Sequence, residues 1–321
     1  MLDLGLYDRV HLHPRPLAQR VVADGFLRFN YRSVEIVLEG LENLPERPVV
    51  LAMNHTDNFS YWPLQYSLHR RDSYTATWVK GKNYEPKVLG LAMRLTNNIP
   101  IASRGYVVTR DFVNVVGRRP EAEEYRALRD AVDEARPVDP TKVPRVVLEQ
   151  SRDMLGRRFD ADHESYEVAV DALMHRMMER FVEMNAEALD LGLNLLVFPQ
   201  GTRSIRLSRG HIGLAQIALH LDAPIVPIGC SGCDLVYPGR SLVAKPGRVV
   251  YRIGKPMSDW GELAPTEPFA PFSRAAEAAH RPRFQAVVDR VMDEINELVD
   301  PEYRYADDQR SDGSRGTDRF L

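Results

Sequence analysis

Short apolar runs recur along the whole chain, at residues 33–38, 49–53, 74–79, 99–102, 193–198, 224–228 and 248–253, and helix-forming stretches separate most of them. Such runs read as strands. Strands joined by helical crossovers favour parallel pairing, because a parallel partner needs a long return path. The expected fold is therefore α/β: a mixed, partly parallel sheet flanked by helices. With 321 residues, 44% hydrophobic and 27% charged, the chain has ample material for a core and the make-up of an ordinary soluble globular protein.

Two of these runs end in residues that carry chemistry. The run at 49–53 leads into AMNHTDNFSYWP (52–63), which puts a single histidine, His55, at a strand end where a general base could sit. The run at 193–198 leads into FPQGTRS (198–204), where Gly201, Thr202 and Arg203 suit the grip of a phosphate or another anion. Glycine lets the backbone come close, threonine offers a hydroxyl, and arginine offers a planar fork. A base and an anion site on neighbouring strand ends point to activation of an anchored hydroxyl.

Four blocks in this order resemble the glycerolipid acyltransferase superfamily, whose members include lysophosphatidate and glycerol-phosphate acyltransferases. They are Asn54-His55, the segment GLAMRLTNNIPIASRG ending at Arg104-Gly105, FPQGTRS, and APIVPIGCSG at 223–232; EIVLEGLENLP (35–45) resembles the usual approach to the histidine. Together the blocks are specific where one alone would be weak. Two positions depart from the family pattern: Ser60 stands where an Asp follows the histidine by five residues, and Gln200 stands for the Glu of FPEGT.

The resemblance implies transfer of a fatty acyl group from acyl-CoA or acyl carrier protein to a hydroxyl of a lipid or phosphate-bearing acceptor, with no metal or redox cofactor. His55 would take the proton directly, since an imidazole titrates near neutral pH. Its orienting partner is left open between Ser60, whose hydroxyl can hold a tautomer without bringing charge, and Asp57, which reaches the ring only in an irregular turn and otherwise caps the following helix. Asn54 is expected to fix the turn through side-chain to backbone bonds. The acceptor's phosphate is implied at Gly201, Thr202, Arg203 and Arg104, with Gln200 beside them; Arg203 alone would read as a surface ion pair. Lys80 or Lys82 could face the site; spacing does not decide which, and either could equally be a solvated surface lysine.

Residues 1–105 and 190–304 are expected to form the α/β domain, with a helical insertion at 106–189 made of stretches at 121–136, 146–157 and 163–189. Met174, Met177, Met178 and Met184 either line an acyl groove or, as apolar helix faces usually do, pack the insertion onto the main domain. A short helix at 16–29, with Leu17, Val21, Val22, Phe26 and Leu27 on one side, is expected to pack on the core; the family resemblance implies membrane contact there. The polar tail 305–321 is expected to be disordered. Cys230 and Cys233 form one CxxC without a second pair, expected in the core and not on zinc. His11 and His13 join no metal site, and His211 is expected to be structural.

The net charge of −3 gives no global case for nucleic acid. No run approaches the ~20 apolar residues of a membrane span, and no secretory signal is evident, so a cytoplasmic protein acting at the inner membrane surface is expected. Two competing readings stay open. One is a weakened relative that binds lipid or acyl carrier; the other is an acyltransferase for a non-glycerolipid alcohol.

Overall fold

A computed structural model describes residues 1–239, 241–306 and 309. Its centre is a seven-stranded sheet in the order β1-β9-β8-β2-β7-β3-β4. The strands are β1 (Val34–Glu39), β2 (Val50–Met53), β3 (Thr75–Lys80), β4 (Asn98–Ile101), β7 (Asn194–Val197), β8 (Ile225–Ser231) and β9 (Gly247–Ile253). They coincide with the apolar runs of the sequence to within a few residues at each end. The five from β8 to β4 run parallel, whereas β9 is antiparallel to β8 and parallel to β1. The carboxyl ends of those five strands therefore share one edge, the usual place for a ligand in an open α/β sheet.

Both faces of the sheet are covered, which is why the strands read as unbroken apolar runs rather than as alternations. Val50, Ala52, Leu195 and Val197 point into one apolar layer under the helices Tyr166–Asp190, Gly213–His220 and Arg274–Leu298. Val49, Leu51, Met53 and Leu196 point into the other, with Leu27, Leu64 and Leu68. Successive residues alternate between layers, as strand geometry requires.

The insertion packs onto the first layer through Val132, Phe159, Leu173 and Phe181. Its four methionines are buried, Met177 and Met184 completely, so the packing role applies to them. One expectation for this region fails. Residues 146–157 do not form a helix; the helix stops at Arg145–Glu149, and β5 (Arg152–Met154) and β6 (Arg157–Phe159) form a hairpin. Leu155 (φ 50°) and Gly156 (φ 91°) make its two-residue turn, and positive φ at both centres matches the twist of the strands. Asp153 Oδ1 closes the turn by accepting from the Gly156 N–H at 2.9 Å.

The N-terminal helix also departs from expectation. Residues Ala23–Leu27 are π-helical, between α-helical Leu17–Val22 and Arg28–Asn30. A π turn adds a residue and rotates the face that follows. The packed residues are Ala23, Leu27, Asn30 and Tyr31, whereas Leu17, Val21, Val22, Phe26 and Phe29 are exposed. The proposed core-facing stripe thus faces outward, Leu27 excepted. Of the tail, only Tyr305, Ala306 and Gln309 are described, and the expectation of disorder otherwise lies outside the described residues.

Candidate active site

β2 ends at Met53, and the next residue continues its pairing through a side chain. Asn54 Nδ2 donates to the Cys230 carbonyl at 2.9 Å, and Asn54 Oδ1 accepts from the Cys230 N–H at 2.7 Å. An amide can present this donor–acceptor pair to a peptide unit, which explains asparagine here. Fixing Asn54 to β8 sets the direction in which His55 leaves the sheet.

His55 is held on three sides. Its N–H donates to Gln200 Oε1 at 3.2 Å, and its carbonyl accepts from the Ser204 N–H at 2.8 Å. Its ring stacks on Phe198, with centroids 4.1 Å apart and planes at 22°. Nδ1 lies 3.1 Å from Ser60 Oγ, and Nε2 has no protein partner among the described residues. Ser60 is fully buried, and its carbonyl accepts from the Tyr251 hydroxyl at 2.6 Å. Burial, and then the positive charges of Arg203 and Lys80, pull the His55 pKa down to about 3, so the imidazole is neutral at physiological pH.

Asp57 turns elsewhere. Its carboxylate accepts from the Phe59 N–H at 2.7 Å and from the Thr56 hydroxyl at 2.9 Å, and the Cys233 thiol also bonds to it. Burial raises its pKa in spite of those bonds. Of the two candidates to orient His55, the structure brings Ser60 to the ring and places Asp57 on the turn and on the buried, unbridged cysteine pair.

Gln200 is likewise occupied at both ends. While Oε1 receives the His55 N–H, Nε2 donates to the Arg206 carbonyl at 3.4 Å and to Ser208 Oγ at 3.3 Å. It joins the two loops of the site and is itself buried. Gly201 has φ +65°, and a Cβ there would lie 2.8 Å from His211 Cδ2, so conformation and space both call for glycine. His211 is thereby placed as a wall of the anion loop, with its N–H on the Pro199 carbonyl. Thr202 is half-buried, and the Arg203 side chain is exposed on the same loop.

Lys80 ends β3, next to β7, and its charge acts on His55, whereas Lys82 lies in the turn Gly81–Tyr84 that follows. No signal in the sequence separated the two. Arg104 is not brought to this group. It follows β4, two positions from β7, and its guanidinium turns to the insertion, 3.9 Å from Asp133 and 3.8 Å from Asp171.

No family model matches the chain. Over 89 residues it is 33% identical to a 1-acyl-sn-glycerol-3-phosphate acyltransferase of Cocos nucifera, a match that takes in 26% of this chain and 29% of that protein. The chain therefore spans less than a third of the curated relative it matches. Among solved structures it is similar to the 1-acyl-sn-glycerophosphate (LPA) acyltransferase PlsC from Thermotoga maritima, with a TM-score of 0.41 and 18% identity over 86% of this chain and 80% of that one. In motif order, and in sequence over that segment, the chain is similar to the glycerolipid acyltransferases.

Proposed function

We propose that the protein is an acyltransferase that moves a fatty acyl group from a thioester, acyl-CoA or acyl carrier protein, to a hydroxyl of a phosphate-bearing lipid precursor. The observation that carries this reading is a neutral histidine with Nδ1 on Ser60 and Nε2 open beside Arg203 and Lys80. The acceptor hydroxyl would give its proton to Nε2 as its oxygen attacks the thioester carbonyl. Collapse of the tetrahedral intermediate expels the thiolate, which takes the proton back from the imidazolium. The acceptor's phosphate, on the Gly201–Arg203 loop, offsets the charges of Arg203 and Lys80. It thereby makes His55 more basic in the complex than in the free protein.

Among the described residues, no helix is long and apolar enough to cross a membrane. The helix Leu17–Val22 packs beside the helix Lys87–Leu95; the first exposes Leu17 and Val21, the second Val88, Leu91 and Leu95, and Phe29 is exposed just after the first. The two segments carry Arg20, Arg28, Arg32, Lys87 and Arg94 against Asp24 alone. This face would rest on an anionic bilayer and receive its lipid substrates there.

The test is thiol release from long-chain acyl-CoA and acyl carrier protein, with glycerol 3-phosphate or lysophosphatidate as acceptor. Acceptor-dependent release should fall on the order of 10³-fold in His55→Ala. Release unaffected by that substitution would sink the reading. The engagement of Asp57 away from His55 favours one alternative, a weakened relative that binds lipid. No acyl transfer by the wild type, together with co-purified lipid, would establish that alternative.

A further inference from the structure

The loop that carries Gly201–Arg203 has no regular structure of its own. From the end of β7 to the helix Gly213–His220 the chain forms neither helix nor strand. Peptide groups outside a ladder must find partners elsewhere, and here several lie on distant segments. The Ser204 N–H donates to the His55 carbonyl at 2.8 Å, and the Leu207 N–H to the Tyr303 carbonyl at 2.9 Å. The Arg206 guanidinium donates to two more carbonyls of that second segment, Arg304 at 3.2 Å and Tyr305 at 2.8 Å. Gln200 holds the other side of residues 206–208, through the Arg206 carbonyl and the Ser208 hydroxyl, and it also receives the His55 N–H. A continuous line of hydrogen bonds thus runs from residues 303–305 through 206–208 and Gln200 to His55.

The segment that receives these bonds is anchored at both ends. It leaves the helix Arg274–Leu298, and the Asp300 N–H donates to Ser231 Oγ on β8 at 3.0 Å. Pro301–Tyr303 form a 3₁₀ turn, after which the Tyr305 N–H returns to Asn296 Oδ1 of that helix at 2.9 Å. Tyr303 is buried, and its hydroxyl donates to Asp234 Oδ1 at 2.8 Å and accepts from the Gly232 N–H at 3.0 Å. Asp234 belongs to the helix Cys233–Val236, whose first residue bonds to Asp57 in the turn after His55. Tyr303 therefore meets both halves of the site, the anion loop through its carbonyl and the support of the histidine turn through its hydroxyl.

We propose that residues 301–305 are a strap that fixes the Gly201–Arg203 loop against His55 and thereby sets the affinity for the phosphate-bearing acceptor. Tyr303 and Arg206 are its positioning residues. Freed from the strap, the loop would spread over positions in which Arg203 and His55 do not meet one acceptor together. The identity of the ligand rests on the acyltransferase reading, and the strap on the hydrogen bonds alone.

Arg206→Ala removes two of these bonds from an exposed position, so the melting temperature should not change. Tyr303→Phe removes the two hydroxyl bonds and keeps the ring and the carbonyl. Calorimetric titration of the full-length protein with 1-acylglycerol 3-phosphate needs no turnover. The affinity should fall about tenfold in the first variant and about fivefold in the second. Arg206→Lys, which can still reach one carbonyl, should recover part of that loss. In turnover the KM for the acceptor should rise, while the KM for the thioester stays within about twofold of the wild type. Phe284→Leu, in the core under the helix Arg274–Leu298, should lower the melting temperature and leave the affinity unchanged. Without ligand, the Ser204 and Leu207 amides should exchange hydrogen about tenfold faster in Arg206→Ala and Tyr303→Phe, with the amides of β2 unchanged. Wild-type affinity in both variants, or a loss matched by Phe284→Leu, would overturn the proposal. Loss of affinity and faster exchange in a protein without acyl transfer would refute the enzyme reading and leave the strap standing.

Discussion

A histidine oriented by a hydroxyl has a freedom that one oriented by a carboxylate lacks. Ser60 can accept from Nδ1–H, which leaves a lone pair on Nε2, or donate to Nδ1, which puts the proton on Nε2 and disables the base. A carboxylate permits only the first and also stabilises the imidazolium. Ser60→Asp should therefore raise acyl transfer at least about tenfold and move the His55 titration upward, so that the acid limb of the rate profile falls at higher pH. The buried charge should lower the melting temperature of the same variant, since Ser60 is fully buried. Ser60→Ala should reduce the rate about tenfold. Unchanged rate and titration in both variants would mean that Ser60 does not govern the ring.

Gln200 raises a parallel question, because its amide both accepts from His55 and donates to the Arg206 carbonyl and Ser208. A carboxylate in its place cannot donate, and an oxygen would face the Arg206 carbonyl. Gln200→Glu should cost about 1–3 kcal/mol in urea denaturation, with the midpoint lowered and the slope unchanged. A midpoint equal to the wild type would show that the amide donor is dispensable. The two unusual residues of the motifs were visible in the sequence. Their distant partners were not, His55 for Gln200 and Tyr251 for Ser60, whereas a bond of Ser60 to the nearby His55 ring was one of the two readings the sequence left open.

At the scale of elements, the sequence was legible where burial on both faces leaves an unbroken apolar run, as in β2 and β7. It misled where local backbone geometry overrides periodicity. The stripe from Leu17 to Leu27 has helical spacing, but the π turn at Ala23–Leu27 rotates it, and the packed face shifts to Ala23, Leu27, Asn30 and Tyr31. In the insertion, 146–157 contains good helix formers, yet Asp153 and Gly156 close a turn, and the strands beside it are pinned by ion pairs of Arg152 with Asp111 and Arg157 with Glu164. Tertiary partners of that kind leave no local signal. The exposed N-terminal face gives an element-scale prediction. Replacing Leu17 and Phe29 together by serine should weaken sedimentation with vesicles containing anionic lipid about tenfold or more and leave the melting temperature unchanged, since both side chains are already exposed. Equal sedimentation of the variant and the wild type would remove this face as the membrane contact.

For the molecule as a whole, the neutral histidine at the strand edge ties the stability of the fold to pH. His55 titrates near 6.5 when unfolded and is drawn down to about 3 in the fold. Between those values the unfolded chain binds the proton and the native chain does not, so acidification favours unfolding. This contribution is intact above pH 6.5 and is lost progressively as pH falls toward 3. Asp57 acts in the opposite sense, because burial raises its carboxyl above 3.8 and the native state then holds the proton more tightly than the unfolded state. A single pH curve mixes the two, whereas the difference between wild type and His55→Ala isolates the histidine. Over 1.5 pH units the full effect would be about 2 kcal/mol; His55 is half-buried, and about 1 kcal/mol is expected between pH 6.5 and 5. Urea midpoints of the two proteins across that range measure it. His55→Ala should gain on the wild type as pH falls, and a difference that stays constant would mean that the imidazole is as free to ionise in the fold as in water.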